Sequence, residues 1–161
     1  MLKPSECSVG PISAGPGLTL VLPRETGGPT MLVVGLHDQR HVVFLTPSSG
    51  IDPFMSFECG SNNYWKGILI ENVEIEIDVK SVPARPSRQL PLGTLTRTQD
   101  KLTIEVKSQA WIDPLVIMDG LPACAEGSSA SFLTWQIVLG QGESKRVLHR
   151  VDVSPSPGPL S

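Results

Sequence analysis

Val73-Glu74-Ile75-Glu76-Ile77-Asp78-Val79-Lys80 alternates apolar and charged residues without a break. Successive side chains of a β-strand point to opposite faces, so this stretch reads as a strand with one face buried and the other in water. Burying a Val or Ile side chain stabilises by roughly 1.5–3 kcal/mol. A register slip by one residue, which would turn all four apolar groups outward, is therefore strongly disfavoured.

Nearly every other apolar run is also short, rich in Val, Ile, Leu and Thr, and bounded by turn residues, the pattern of strands rather than helices. Leu18 to Leu22 and Met31 to Leu36 are joined through a Pro- and Gly-containing loop. Val42 to Leu45 follows across the polar stretch His37-Asp38-Gln39-Arg40-His41, which predicts a tight reversal. Phe54 to Phe57 and Tyr64 to Ile70 flank the turn cluster Gly60-Ser61-Asn62-Asn63. Ile70 to Val73 reads as either a tight turn or a bulge.

Pro83 and Pro86 mark a crossing loop, because two prolines so close cannot sit in a central strand. Leu92 to Arg97 and Lys101 to Val106 form a hairpin across Thr98-Gln99-Asp100. Pro114 inside Trp111 to Met118 predicts an edge strand or a bulge. A final hairpin joins Phe132 to Leu139 with Lys145 to Val153 through Gly140-Gln141-Gly142-Glu143, placing Leu133, Trp135, Ile137 and Leu139 on one face and Val147, Val151 and Val153 on one face of its partner.

The expected fold is thus all-β, an antiparallel β-sandwich or barrel of about 9–10 short strands. Composition agrees: charged residues make up only 18% while Gly and Pro number 15 each, too few charges and too many breakers for a helical bundle. Residues 17–153 read as a single β domain. Residues 1–16 read as a flexible N-terminal segment and 154–161 as a disordered Pro/Ser tail. The order of runs also admits two pseudo-repeated halves, with Ile-Asp-Pro-apolar at 51–54 and 112–115 and closing strands Ile77-Asp78-Val79 and Val151-Asp152-Val153. The offset drifts along the comparison, so chance similarity between β-rich segments accounts for it at least as well.

A net charge of −3 argues against a general phosphate-binding surface, so no nucleic-acid partner is expected. The N-terminal residues lack the continuous apolar run of a signal peptide, and no stretch approaches the ~18 apolar residues of a membrane span. Three widely spaced cysteines, Cys7, Cys59 and Cys124, form neither a CxxC pair nor an even disulfide framework. A cytoplasmic protein without membrane attachment is expected.

Glu71, Glu74, Glu76 and Asp78 form an acidic stripe. Carboxylates two residues apart on one strand face lie about 6.5–7 Å apart, a spacing inverting glycosidases use. A catalytic pair also needs a cleft and one carboxyl raised by burial, whereas strict alternation puts these groups on the wet face. Cross-strand pairing with a basic residue such as Lys101, Lys107, Arg146 or Arg150 is the simpler role. The His37/His41 cluster, with Asp38, carries ligand types but too few converging groups for a metal site. His149 fits a core or edge histidine. Tyr64 and Trp65 alternate across a strand beside Asn62 and Asn63, a candidate ligand-binding surface for a small molecule or carbohydrate.

None of the common nucleotide, metallohydrolase or serine-hydrolase motifs is present, and no cofactor is called for. The best reading is a non-catalytic β-sandwich binding module for a protein partner or itself, acting through an exposed sheet edge or face. A small-molecule or carbohydrate-binding β domain is the alternative. An enzyme using the acidic strand or the His37/His41 cluster is a third.

Overall fold

A computed structural model describes residues 8–11, 17–23, 28–36, 39–47, 52–58, 66–83, 90–108, 111–121, 129–140 and 142–154. Thirteen strands form among them: β1 (Ser8–Pro11), β2 (Gly17–Leu22), β3 (Met31–Leu36), β4 (Gln39–Phe44), β5 (Ser56–Glu58), β6 (Lys66–Glu71), β7 (Glu74–Ile77), β8 (Leu95–Thr98), β9 (Lys101–Ser108), β10 (Trp111–Met118), β11 (Ser129–Phe132), β12 (Thr134–Leu139) and β13 (Arg146–Asp152). No α-helix occurs in the described residues. β1 falls within the terminal segment set apart by composition.

The strands make three antiparallel sheets, ordered β1-β6-β2-β3-β4-β5, β10-β9-β8-β11 and β13-β12-β7. The fold is all-β and sandwich- or barrel-like. One buried cluster draws on all three sheets, with Leu20, Leu32 and Ile70 from the first, Leu95, Ile104 and Ile117 from the second, and Trp135, Ile137 and Val151 from the third. The indole of Trp135 is 1% exposed and its Nε1–H donates to the Gly93 carbonyl at 2.8 Å, so the largest core side chain buries no unpaired donor. The first two sheets are joined where the Lys107 N–H donates to the Phe54 carbonyl at 2.9 Å.

Several expected reversals are present. β3 and β4 pair from Leu36↔Gln39 onward, leaving a two-residue connection at 37–38, and β8 and β9 close on Thr98↔Lys101 with Gln99 at a φ of 51. Pro114 lies on an edge strand that also carries a bulge, since the register of β10 against β9 shifts between Val116 and Met118.

Other expectations change. The long alternating strand ends at Ile77. Val73 is buried, but Val79 is 70% exposed because Asp78 starts a turn, its carboxylate accepting from the Lys80 N–H and its carbonyl from the Ser81 N–H. The ambiguous junction before it is a corner: Asn72 adopts a left-handed φ of 58, which Asn tolerates, and the chain passes from the six-stranded sheet to the three-stranded one. Leu133 marks a second corner, so Phe132 to Leu139 is two strands in two sheets. Such corners raise the strand count above expectation.

Val147 does not share a face with Val151. The register of β12 against β13 shifts from Ile137↔His149 to Val138↔Val147, leaving Leu148 as a bulge residue that packs toward the core while Val147 is 52% exposed.

The halves are not organised alike. Asp52 to Phe54 run through a turn with Phe54 at a φ of 64, whereas 112–115 lie inside β10. β12 and β13 pair directly, whereas β6 and β7, their counterparts, belong to different sheets.

Candidate binding face on the three-stranded sheet

Alternation along β7 and β12 sends Ile75, Ile77, Trp135 and Ile137 inward and Glu74, Glu76, Gln136 and Val138 to the other side. Register then sets one polar row straight across the sheet, since Glu76 lies opposite Gln136 and Gln136 opposite Arg150. The next row pairs Thr134 with Asp152.

Glu76 is the fixed point of this face. Its Oε1 accepts from Gln136 Nε2 at 2.7 Å and its Oε2 meets Lys145 Nζ at 2.8 Å. Lys145 is placed by the turn between β12 and β13, where Gly140 has a φ of 84 and a Cβ would come within 2.8 Å of the Ser144 carbonyl oxygen. Glycine is the residue that permits this approach. The hydrogen bonds from Lys145 and then Gln136 hold the Glu76 carboxyl below its ordinary value. Asp152 is held low as well, first by hydrogen bonding from Ser154 and then by the Thr134 hydroxyl, which donates at 3.1 Å.

Two shallow hollows flank Glu76. One, of about 290 Å³, is lined by Glu76, Asp78, Thr134, Gln136 and Arg150 among others. The second, of about 370 Å³, lies between Glu74, Glu76, Val138 and Lys145. The face offers fixed charges and hydrogen-bonding groups in shallow relief. Glu76 and Asp152 are both held in the charged form, the opposite of what a general acid requires.

The acidic stripe is therefore broken up. Glu71 belongs to β6, opposite Thr19 in the six-stranded sheet, and Asp78 lies in the turn, leaving Glu74 and Glu76 together on β7. The cross-strand cation is Lys145. Sequence reasoning also missed Gln136, Thr134 and Asp152 as parts of this surface. Strict alternation on β12 was the available signal for Gln136, but its partner Glu76 is in a strand far away along the chain.

A raised carboxyl does occur in the four-stranded sheet, where burial and then the charge of Asp113 push Glu105 up. His149 points inward beside Ile137, and burial pushes its imidazole down, in keeping with a neutral core-edge histidine. His41 is half-buried on β4, opposite Val34 and Glu58. Asn62, Asn63, Tyr64, Trp65, His37, Asp38 and the three cysteines lie outside the described residues. Among the described residues no three His, Cys, Asp or Glu side chains are grouped so as to hold a metal ion, and no helix is long and apolar enough to cross a membrane.

Residues 9–158 match the model of a protein family described as "Uncharacterised protein y4lG". A protein of that same description from Sinorhizobium fredii (strain NBRC 101917 / NGR234) is 36% identical over 151 residues, covering 92% of this chain and 91% of that protein. No solved structure matches the chain significantly.

Proposed function

The chain belongs to the y4lG family, and we propose that it is a non-catalytic β-sandwich binding module that recognises a protein surface, its own or a partner's, through the outer side of the β13-β12-β7 sheet. The observation that carries this reading is the fixation of Glu76 between Gln136 and Lys145, with a hollow on either side. An ionised group already held in one geometry loses little freedom on meeting a partner, which favours specific recognition. The same pairing argues against a general acid at this position, because it favours the charged form. We place the module in the cytoplasm, on the strength of its odd, widely spaced cysteines. No cofactor, nucleic acid or membrane enters the reading.

The test is native mass spectrometry of the full chain with its co-purifying proteins, compared with Glu76→Lys, with Arg150→Asp and with Thr103→Lys in the four-stranded sheet. The reading expects a stoichiometric complex that is lost on charge reversal at one end of the polar row, by Glu76→Lys where the partner sits on the outer face or by Arg150→Asp where it lies along β13, and that Thr103→Lys leaves intact, with unchanged circular dichroism throughout. A complex indifferent to both Glu76→Lys and Arg150→Asp contradicts it.

A further inference from the structure

Among the described residues β13 forms one edge of the three-stranded sheet, with only β12 paired to it. β10 is one residue longer but contains Pro114, which removes an edge donor. β13 contains no proline.

The hydrogen-bond phase of β13 shows which of its groups are available. Val153 N–H donates to the Leu133 carbonyl at 2.9 Å. In an antiparallel ladder alternate residues address the same neighbour, so Val151 and His149 turn their backbone groups toward β12. The Thr134 carbonyl agrees with this phase, since it is used by Asp78 N–H on the β7 side at 3.0 Å. Arg150 and Asp152 therefore direct their N–H and C=O groups to the side away from β12. Their side chains share the outer face and are exposed.

From this arrangement we propose that two copies of the chain associate edge to edge through β13, antiparallel about a twofold axis at Val151, with Arg150 of each copy facing Asp152 of the other. This deepens the binding-module reading and rests on it, naming a second copy as the partner. The axis places residues 150 and 152 in a narrow pair that exchanges two backbone hydrogen bonds, and symmetry repeats the pair. The same register puts the Cβ atoms of oppositely charged residues about 4.5–5.5 Å apart at both positions. Sliding by two residues instead sets Arg150 against Arg150 or Asp152 against Asp152, so the charge pattern selects one register. The bulge at Leu148 bends the strand and ends the ladder on its other side, which limits pairing to a short, self-matched segment.

Sedimentation velocity of the full chain across a concentration series tests this, with Arg150→Asp and Asp152→Arg as variants. Each variant alone sets like charges opposite one another at both contacts, and its dimer dissociation constant rises roughly tenfold or more. An equimolar mixture of the two restores acidic against basic at both contacts and recovers a dimer. Because Asp152 also accepts local hydrogen bonds, thermal melts check that each variant is folded, and Arg150→Asp carries the test should Asp152→Arg not fold. A wild-type chain that stays monomeric, a dimer unmoved by Arg150→Asp, or a mixture of folded variants that fails to pair overturns the proposal. A monomer whose complex with another protein is still lost in Glu76→Lys overturns self-pairing while leaving the broader reading standing.

Discussion

The six-stranded and three-stranded sheets use the same residue types to opposite ends. Along β2, β3 and β4 both faces are apolar: Leu20, Leu32 and Val43 join the main cluster, while Val21, Met31, Val33, Val42 and Phe44 form a second cluster with Leu69 on the other side. In the three-stranded sheet one face is Trp135, Ile137 and Val151, and the other carries a partnered polar row beside the single buried apolar side chain of Val138. A sheet buried on both faces is committed to stability, because each side chain has a packing neighbour to lose. A sheet buried on one face keeps the other for recognition. Substitutions should therefore separate, with large stability losses in the first sheet and losses of association without unfolding on the outer side of the third.

The largest effect is expected at the second cluster. Phe44 is fully buried and meets Phe57 edge-on with ring centroids 5.6 Å apart, so Phe44→Ala should cost about 3–5 kcal/mol in urea denaturation. A loss under about 1 kcal/mol would erase the contrast. Next comes Gly67, where a Cβ would collide with Val21 Cγ1 and fall 2.8 Å from the Leu22 carbonyl oxygen. Gly67→Ala should destabilise by about 1–3 kcal/mol, seen as a lower urea midpoint.

A smaller effect distinguishes two carboxylates by sign. Glu76 is lowered by its partners, so its contribution to stability is complete above the ordinary carboxylate range and is lost as pH falls through its folded value. Glu105 is raised by burial and by Asp113, so its protonated form is favoured on folding, and that contribution is lost as pH rises through its folded value. Melting temperature measured between about pH 3 and pH 7 should fall less steeply toward acid in Glu76→Gln than in wild type. Glu105→Gln should remove a loss of stability that wild type shows on the neutral side. Swapped signs would contradict the assignment. The smallest effect is at Val147, exposed on the outer face, where Val147→Thr should change stability by no more than about 0.5 kcal/mol in the same denaturation assay.

The sequence discloses the fold class because short alternating and apolar runs can be read locally, and the same holds for the Gln99 reversal, the Pro114 edge and the inward set on β12. The corners at Asn72 and Leu133 are not local in that sense. An alternating pattern looks the same whether a strand continues or changes sheet, and only the partner on each side decides. The bulge at Leu148 is hidden for the same reason, since it exists only relative to β12, and it is what turns Val147 outward. At the candidate face Glu76 is legible from its alternation. Gln136 and Lys145 are not, because their meeting with Glu76 depends on β7 lying beside β12 across a long stretch of intervening chain. The self-matched Arg150-Val151-Asp152 stretch stands plainly in the sequence, yet its meaning depends on the hydrogen-bond phase of β13, which no residue pattern supplies.

Pairing of two copies along the β13 edge of the three-stranded sheet is open to a single measurement, amide hydrogen exchange resolved along β13 at low and high protein concentration. The Arg150 and Asp152 amides should exchange quickly in dilute protein and slow as concentration rises, while the Val151 amide, bonded within the sheet, is slow throughout. Amides at 150 and 152 that exchange quickly at every concentration, or new protection confined to β10, would contradict it.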